Sequence, residues 1–370
     1  MSRKKLRILN IANMNSDSGV ACFVMNYLRV MDKQSIQMDF ICWDKRENNF
    51  YSEIEKMGGK VFLVTSYKNN LSHFLSEIKS LIEKGNYDII HGHEAIMSLP
   101  ALHYGKKYKV PVRIAHSHSS QMTSAIKKMV VILCRRFFHY YCTNIMACSQ
   151  MAGDYLFGAK FFNKKGVVLH NAIDVEGYRF NQDVRKKMRQ KLGLGDELVI
   201  GHVGRFNLNK NQKFLIQIFE RIYEKRQDAR LLLIGEGETK KQICQEIKEK
   251  KFADSVIFLG VQKNVNEWMQ AMDVFVFPSF NEGLGIALVE AQASGLPCCC
   301  SDTIPKEAKC SKNVKFISLT SFPEVWADSV LDFNDIDRNT GADEVKTAGY
   351  DIAKEGKKLQ DYYLSFSKRV

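Results

Sequence analysis

The chain has 370 residues, 45% of them hydrophobic and 26% charged, with only six prolines, a composition that suits a globular protein of two or three domains. No stretch approaches the ~20 apolar residues of a membrane span, and no Ser/Gly-rich tract marks a disordered linker. The formal charge of +13 is uneven: residues 1–175 carry 24 Lys and Arg against 13 Asp and Glu, and the rest is close to balanced, so the first half suits a partner bearing phosphate.

In chain order, short apolar runs alternate with amphipathic stretches. Strands are expected at Lys5–Ile11, Met38–Trp43, Lys60–Val64, Tyr87–His91, Val112–His116, Ile145–Cys148 and Gly166–Leu169. Helices are expected between them at Gly19–Val30, Tyr51–Met57, Ser72–Lys84, Ala95–Tyr108, Ser124–Tyr141 and Gln150–Phe157. The rhythm breaks near Asn171–Asn181 and restarts. Strands are then expected at Leu198–Val203, Ala229–Ile234, Val256–Leu259, Val274–Phe277, Pro297–Ser301 and Val314–Ile317. The helices of this half are Asn211–Lys225, Lys240–Lys250, Val265–Met272 and Gly285–Ser294. Such alternation calls for parallel sheets covered on both faces. The expected α/β architecture is therefore two doubly wound Rossmann-like domains facing across a cleft, residues 1–175 and 176–345. A terminal segment, 346–370, carries the amphipathic helix Gly349–Leu364, which no strand follows and which is free to pack back on the first domain.

Ten cysteines do not signal disulfides here. The opening MSRKKLRILNIAN has too short an apolar run for a signal-peptide core, so the chain is expected in the cytoplasm with reduced thiols. No CxxC pair or zinc-type Cys/His spacing occurs, and Cys298, Cys299 and Cys300 read as small core residues of a buried strand.

In parallel sheets of this kind ligands sit beyond the carboxyl ends of strands. Two such ends are rich in chemistry. After Phe277 comes PSFNEGLGIALVE, which places Glu282, Gly283, Leu284 and Gly285 at the start of a helix and Glu290 about two turns along it. Glycines let a ligand approach the backbone, and the free amides of a helix start suit a phosphate or a sugar oxygen. Carboxylates accept hydrogen bonds from vicinal hydroxyls. After Val203 comes Gly204-Arg205-Phe206-Asn207-Leu208-Asn209-Lys210, in which Arg205 offers a planar fork and Lys210 a point charge for a diphosphate. Each feature alone is also compatible with an ordinary solvated loop.

Taken together these motifs resemble the family 4 glycosyltransferases, retaining enzymes of the GT-B fold, whose signature is a glutamate, seven residues and a second glutamate, here Glu282 and Glu290. The likeness extends to GRFNLNKN, to the GEGE turn Gly235–Glu238 and to FLGVQKNV. RIAHSHSS, CSQMAGDYLFG, VLHNAID and GLPCCCSDTIPKE are similar to bacterial exopolysaccharide and capsule glycosyltransferases. The resemblance implies that Arg205 and Lys210 bind the donor diphosphate and that Glu290 binds the ribose. It implies that Glu282, with the amides of Gly283, Leu284 and Gly285, contacts the donor sugar, and that Val261, Gln262 and Lys263 lie near the base. Gly19, in the other domain, would face the diphosphate. A strand-end histidine, His116 or else His118, would touch the donor sugar near its reacting carbon, with His116 the first choice. His91 and His93 would line the acceptor side. Ser149 matches a small hydroxyl position of undefined role. Catalytic work thus falls to His116, Arg205, Lys210 and Glu282. The leaving diphosphate would help to deprotonate the acceptor, and no cofactor or metal is implied.

The implied partners are a nucleotide-sugar donor, UDP by the resemblance, and a saccharide or lipid-linked acceptor; no nucleic acid is expected. SAIKKMVVILCRRFFHYY, Ser124–Tyr141, mixes Lys127, Lys128, Arg135 and Arg136 with Met129, Val131, Phe137 and Phe138, and reads as a helix able to dock on the anionic inner face of a membrane. Asp335-Ile336-Asp337 is a D-x-D far in sequence from the phosphate loops and reads as a solvated turn. The alternatives are a nucleotide-sugar 2-epimerase or phosphorylase of the same fold and, more distantly, a basic nucleic-acid-binding protein, for which no recognition helix stands out. A dehydrogenase is disfavoured because NMNSDSGVACF after the first strand lacks G-x-G-x-x-G.

Overall fold

A computed structural model describes residues 5–16, 18–118, 125–334 and 336–367. Ser124 and Asp335, invoked above, lie outside the described residues, as does the side chain of Lys127. The chain divides into two compact units, residues 1–172 with 352–370, and 173–351.

The first unit holds seven strands: β1 Leu6–Ile11, β2 Ile36–Cys42, β3 Val61–Leu63, β4 Ile89–Gly92, β5 Val112–Ser117, β6 Asn144–Ala147 and β7 Gly166–Val168. They lie in the order β3-β2-β1-β4-β5-β6-β7, every pair parallel. The second unit holds six: β8 Val199–Val203, β9 Arg230–Ile234, β10 Val256–Gly260, β11 Val274–Phe277, β12 Cys298–Ser301 and β13 Val314–Ile317. Their order is β10-β9-β8-β11-β12-β13, again all parallel. Each sheet therefore reverses its order once, between β1 and β4 and between β8 and β11, and these are the switch points where such folds place ligands.

The apolar runs follow from double-sided burial. Along β11, Phe275 and Phe277 pack into one core of the second unit while Val274 and Val276 pack into the other. Along β12, Cys298 and Cys300 face the first of these cores and Cys299 the second, so the cysteine run fills a central strand with small side chains. All ten cysteines are free thiols. Side chains alternate faces along a strand, so one apolar run serves two helical layers.

Several elements differ from the sequence expectation. The unit boundary falls at Ala172/Ile173, where the Ile173 amide donates to Tyr350 O at 2.9 Å, and the second unit runs on to Asp351 rather than ending at 345. Helices at Ala159–Lys165, Val175–Tyr178, Gln182–Lys191, Pro323–Leu331 and Gly341–Thr347 were not expected from the sequence, and all are short. Gln182–Lys191 shows why. It is nearly all polar, and its anchor is Arg189, buried and donating to the carbonyls of Gly195, Glu197 and Ala271 and to Asp273. The last helix, Ile352–Leu364, belongs to the first unit, where Gly356 comes so close to the helix Gly19–Val30 that a Cβ would sit 2.3 Å from Val30 Cγ2.

Candidate active site

In the second unit, four parallel strands end at one edge of the sheet, and the segments that follow them are stitched together by backbone hydrogen bonds. Gly204 N–H donates to Ile234 O at 3.0 Å, Phe206 N–H to Glu236 O at 2.9 Å and Gly235 N–H to Gly260 O at 2.9 Å. This seam needs its glycines. Gly235 has φ +139°, and a Cβ there would lie 2.1 Å from Gly204 O. The loop after β8 is tied equally to the loop after β11. Phe280 N–H donates to Asn209 O at 2.8 Å, Asn209 Nδ2 to Asn281 O at 2.5 Å, and Asn211 Nδ2 to Pro278 O at 3.2 Å.

Lys210 sits at the centre of this arrangement. Its side chain runs along Gly204, its ammonium lies 4.6 Å from the centroid of the Phe277 ring, and it pairs with Glu282 Oε1 at 2.7 Å. Both partners are largely covered, 18% and 13% exposed, so the pair is screened far less than a surface ion pair. Behind it His202 donates from Nδ1 to Val276 O at 2.9 Å; burial pushes that imidazole down to about 4, so it is neutral.

Glu282 is followed by Gly283, Leu284 and Gly285. Gly285 takes φ +87° and precedes the helix Ile286–Ala293 with no side-chain cap. The amides of Gly283, Leu284 and Gly285 donate to no acceptor among the described residues. Glu290, in the second turn, is hydrogen-bonded by Tyr178; burial raises its carboxyl to about 7 against the opposing pull of Tyr178 and Lys210. A point cation, uncapped amides and a half-buried carboxylate thus gather at the β8/β11 switch point, a donor set suited to a diphosphate and to hydroxyls.

Other expected residues are placed less directly. Arg205 is half exposed and its guanidinium pairs with Glu238 Oε2 at 3.4 Å, while Gln212 Nε2 donates to Arg205 O at 3.0 Å. Val261 is exposed at the end of β10. Gln262 is occupied at both ends, donating to Leu259 O at 2.6 Å and accepting from Trp268 Nε1 at 3.1 Å. Lys263 follows in the same loop.

In the first unit, Gly19 opens the helix after β1, beside the cap Ser18, and a Cβ there would meet nothing within 4 Å. The four histidines of HGH and HSH form one cluster at the ends of β4 and β5. His91 stacks on His93 with centroids 4.0 Å apart and His116 on His118 at 4.1 Å, and Phe23 packs against His93, His116 and His118. Ser149 caps the helix Gln150–Phe157 through the amide of Ala152 at 3.2 Å, which is a structural task. On the helix Ala125–Tyr141, Val131 and Phe138 are buried in the core, contrary to the reading of an interfacial stripe that included them. Arg135 turns inward to the carbonyls of Asp154 and Tyr155. No helix among the described residues is long and apolar enough to cross a membrane.

Residues 184–330 match the model of the Glycosyl transferases group 1 family, and residues 18–176 match that of Glycosyltransferase Family 4. EpsF of Bacillus subtilis (strain 168), described as a glycosyltransferase, is 32% identical over 338 residues, 89% of this chain and 88% of that protein. This chain is a family 4 glycosyltransferase. A UDP-Gal:alpha-D-GlcNAc-diphosphoundecaprenol alpha-1,3-galactosyltransferase of Escherichia coli is 24% identical over 318 residues, 81% of this chain and 80% of that one. Among solved structures, Anabaena Alr3699/HepE in complex with UDP and glucose matches with a TM-score of 0.81 at 16% identity, covering 97% of this chain and 100% of that one, which gives the glycosyltransferase its GT-B fold.

Sequence reading of this glycosyltransferase missed three site residues. Glu238 lay inside a motif already singled out, GEGE, and an acid beside a cationic loop was signal enough. Tyr178 and Tyr363 gave no signal, because each reaches its partner, Glu290 or His91, from a distant part of the chain.

Proposed function

We propose that the enzyme transfers a hexose or N-acetylhexosamine, with retention, from a UDP-sugar to a saccharide or lipid-linked saccharide in the synthesis of an exopolysaccharide or capsule. The observation that carries the reading is the Lys210 ammonium held at the β8/β11 switch point beside Glu282 and the amides of Gly283–Gly285. An incoming diphosphate competes with Glu282 for Lys210, Arg205 adds a second cation, and the carboxylates of Glu282 and Glu290 turn to sugar and ribose hydroxyls. The bond from the anomeric carbon to the diphosphate oxygen breaks, the bond to the acceptor oxygen forms on the same face, and the acceptor proton passes to the departing diphosphate. The protein positions the reactants and stabilises the charge that develops on the leaving group. Neither carboxylate is asked to attack the anomeric carbon, and no metal is required.

The named activity of the E. coli relative, which uses UDP-Gal and a diphosphoundecaprenol-linked sugar, supports the donor and acceptor classes, and the Staphylococcus aureus relative named as a capsular polysaccharide biosynthesis glycosyltransferase supports the role in polysaccharide synthesis. A thermal-shift screen of UDP- and GDP-sugars tests the donor: UDP-sugars raise the Tm of the wild type and not of Arg205→Ala. An unshifted wild type across all nucleotide sugars overturns the proposal. Proton NMR of the new anomeric signal tests retention.

A lipid-linked acceptor makes membrane docking useful, and the helix Ala125–Tyr141 supports it. Met129, Leu133, Phe137 and Tyr140 are exposed along one side, beside exposed Lys128 and Arg136. Co-flotation with vesicles containing phosphatidylglycerol, but not with pure phosphatidylcholine, and its loss in Leu133→Asp, is the expected result. Equal binding of both vesicle types would remove the electrostatic part of this proposal.

A further inference from the structure

The histidine cluster holds two hydrogen-bonded lines, and each can be solved for its protons. The first begins at Tyr363, on the last helix of the same unit. Its hydroxyl lies 2.6 Å from His91 Nδ1, and His91 Nε2 lies 3.3 Å from His116 Nδ1. Tyr363 is 1% exposed and has no second hydrogen-bond partner among the described residues. Either direction leaves one buried proton without an acceptor among the described residues, on Tyr363 or on His116 Nε2, but a phenol O–H is the stronger donor and an imidazole lone pair the stronger acceptor, and a 2.6 Å contact fits that O–H···N bond. It therefore donates. His91 Nδ1 is then bare, Nε2–H donates to His116 Nδ1, and His116 carries its proton on Nε2. That nitrogen is buried and has no partner.

The second line begins at Asn10. Its Nδ2 faces the Asp39 carbonyl at 3.4 Å, which can only accept, so its Oδ1 faces His93 Nε2 at 3.3 Å and takes that proton. His93 Nδ1 is then bare and accepts from His118 Nε2–H at 3.0 Å. This leaves His118 with a bare Nδ1. Burial disfavours the charged form of all four rings, with His91 and His118 pushed to about 3, so each is neutral and has a definite tautomer.

We propose that Tyr363 and Asn10 are positioning residues that give the two strand-end histidines opposite polarity: His116 presents an N–H donor from Nε2, and His118 presents a lone-pair acceptor at Nδ1. A donor and an acceptor side by side suit a carbohydrate, whose hydroxyls both give and take hydrogen bonds. This ligand half rests on the glycosyl-transfer reading; the tautomers do not. Nitrogens of His91, His93 and His116 also lie within 4.8 Å of one another. A shared ion is disfavoured because His91 and His93 stack face to face, so their in-plane lone pairs do not converge, and the His91–His116 contact is that of a shared proton.

Long-range proton–nitrogen NMR of the full chain, labelled at histidine and free of ligand, tests the tautomers directly. His116→Gln and His118→Gln assign the signals. All four rings are expected as the Nε2–H form. A protonated Nδ1 on His116 or His118 in the wild-type spectrum overturns the assignment. Tyr363→Phe keeps the buried ring and removes only the hydroxyl proton. It should shift the His91 Nδ1 signal and give His116 a mixture of tautomers while leaving His118 unchanged. An unmoved His116 signal would end the claim for Tyr363. Adding UDP-glucose should then move His116 Nε2–H and His118 Nδ1. Correct tautomers with no such movement overturn the ligand half alone, whereas a thermal shift with UDP-glucose still reports on donor binding.

Discussion

The ammonium of Lys210 lies 2.7 Å from Oε1 of Glu282, and the two residues belong to loops that follow β8 and β11, the neighbouring strands at which the order of the second sheet reverses. The pair thus marks the switch point and keeps a cation and a carboxylate together there.

Lys210→Met leaves the Glu282 carboxylate partly buried without its counter-ion, and a stability loss of about 1–3 kcal/mol is expected. Lys210→Met with Glu282→Gln should recover most of that loss, since both charges are gone. Activity should behave otherwise. The cation that meets the leaving group is absent in both variants, so kcat/KM should fall roughly 100- to 1,000-fold in each. Urea unfolding and steady-state rates on the three proteins separate the two roles. Recovery of activity in the double variant would show that Lys210 serves only to neutralise Glu282.

Gly235→Ala addresses the seam between the loops after β8 and β9. The added Cβ would approach the Gly204 carbonyl to 2.1 Å at a φ of +139°, and the atom in its way is backbone, which cannot turn aside as a side chain can. A loss of about 2 kcal/mol or more is expected, with KM for the donor raised because Arg205 and Lys210 sit on the displaced loop. An unchanged Tm with unchanged KM would mean that this seam does not position the loop.

Glu290 sets a pH dependence whose sign can be worked out. Burial raises its carboxyl to about 7 in the folded protein, against roughly 4.3 in an unfolded chain. Its contribution to stability is therefore complete below the unfolded value and is lost as pH rises through the folded one. Ribose hydroxyls donating to the carboxylate favour its ionised form, so donor binding releases a proton and affinity should strengthen as pH rises from 6 to 8. Tyr178 and Lys210 face the group, and His202 nearby, pushed down to about 4, does not titrate in this window. Calorimetry with UDP-glucose, whose phosphates do not titrate there, should show the trend in the wild type and a flat profile in Glu290→Gln. A flat wild-type profile would place Glu290 outside the donor contacts.

Much of this was legible in the sequence, for a physical reason. A parallel sheet buried on both faces needs uninterrupted apolar strands, so Phe275 to Phe277 and Cys298 to Cys300 stand out, and the polar and glycine-rich residues just beyond them mark ligand-facing ends. Helices held by polar contacts were not legible. Gln182–Lys191 has only Val184 and Met188 as apolar residues and is otherwise anchored by a buried arginine donating to carbonyls, too thin an apolar stripe to stand out. Nor was the wiring of the histidines. HGH and HSH showed that imidazoles meet at two strand ends, but the proton order depends on Tyr363, 272 residues from His91. Local motifs named the side chains of the candidate site, and long-range contacts set their chemical state.

The pairing of Arg205 with Glu238 yields a prediction of the opposite kind, a substitution that improves binding. The pair is solvent-exposed at 3.4 Å, with side chains 50% and 60% accessible. Exposed pairs of this sort contribute roughly 0–1 kcal/mol to stability, so Glu238→Gln should leave Tm almost unchanged. In the donor complex, however, the same carboxylate competes with the diphosphate for the guanidinium and repels its negative charge. Its removal should lower KM for the donor two- to fivefold with little change in kcat, since on the order of 0.4–1 kcal/mol of ground-state competition is lost. Arg205→Ala should raise KM instead, and in that background Glu238→Gln should have a smaller effect, because only the direct repulsion remains. Additive effects of the two substitutions would show that Glu238 does not act through Arg205.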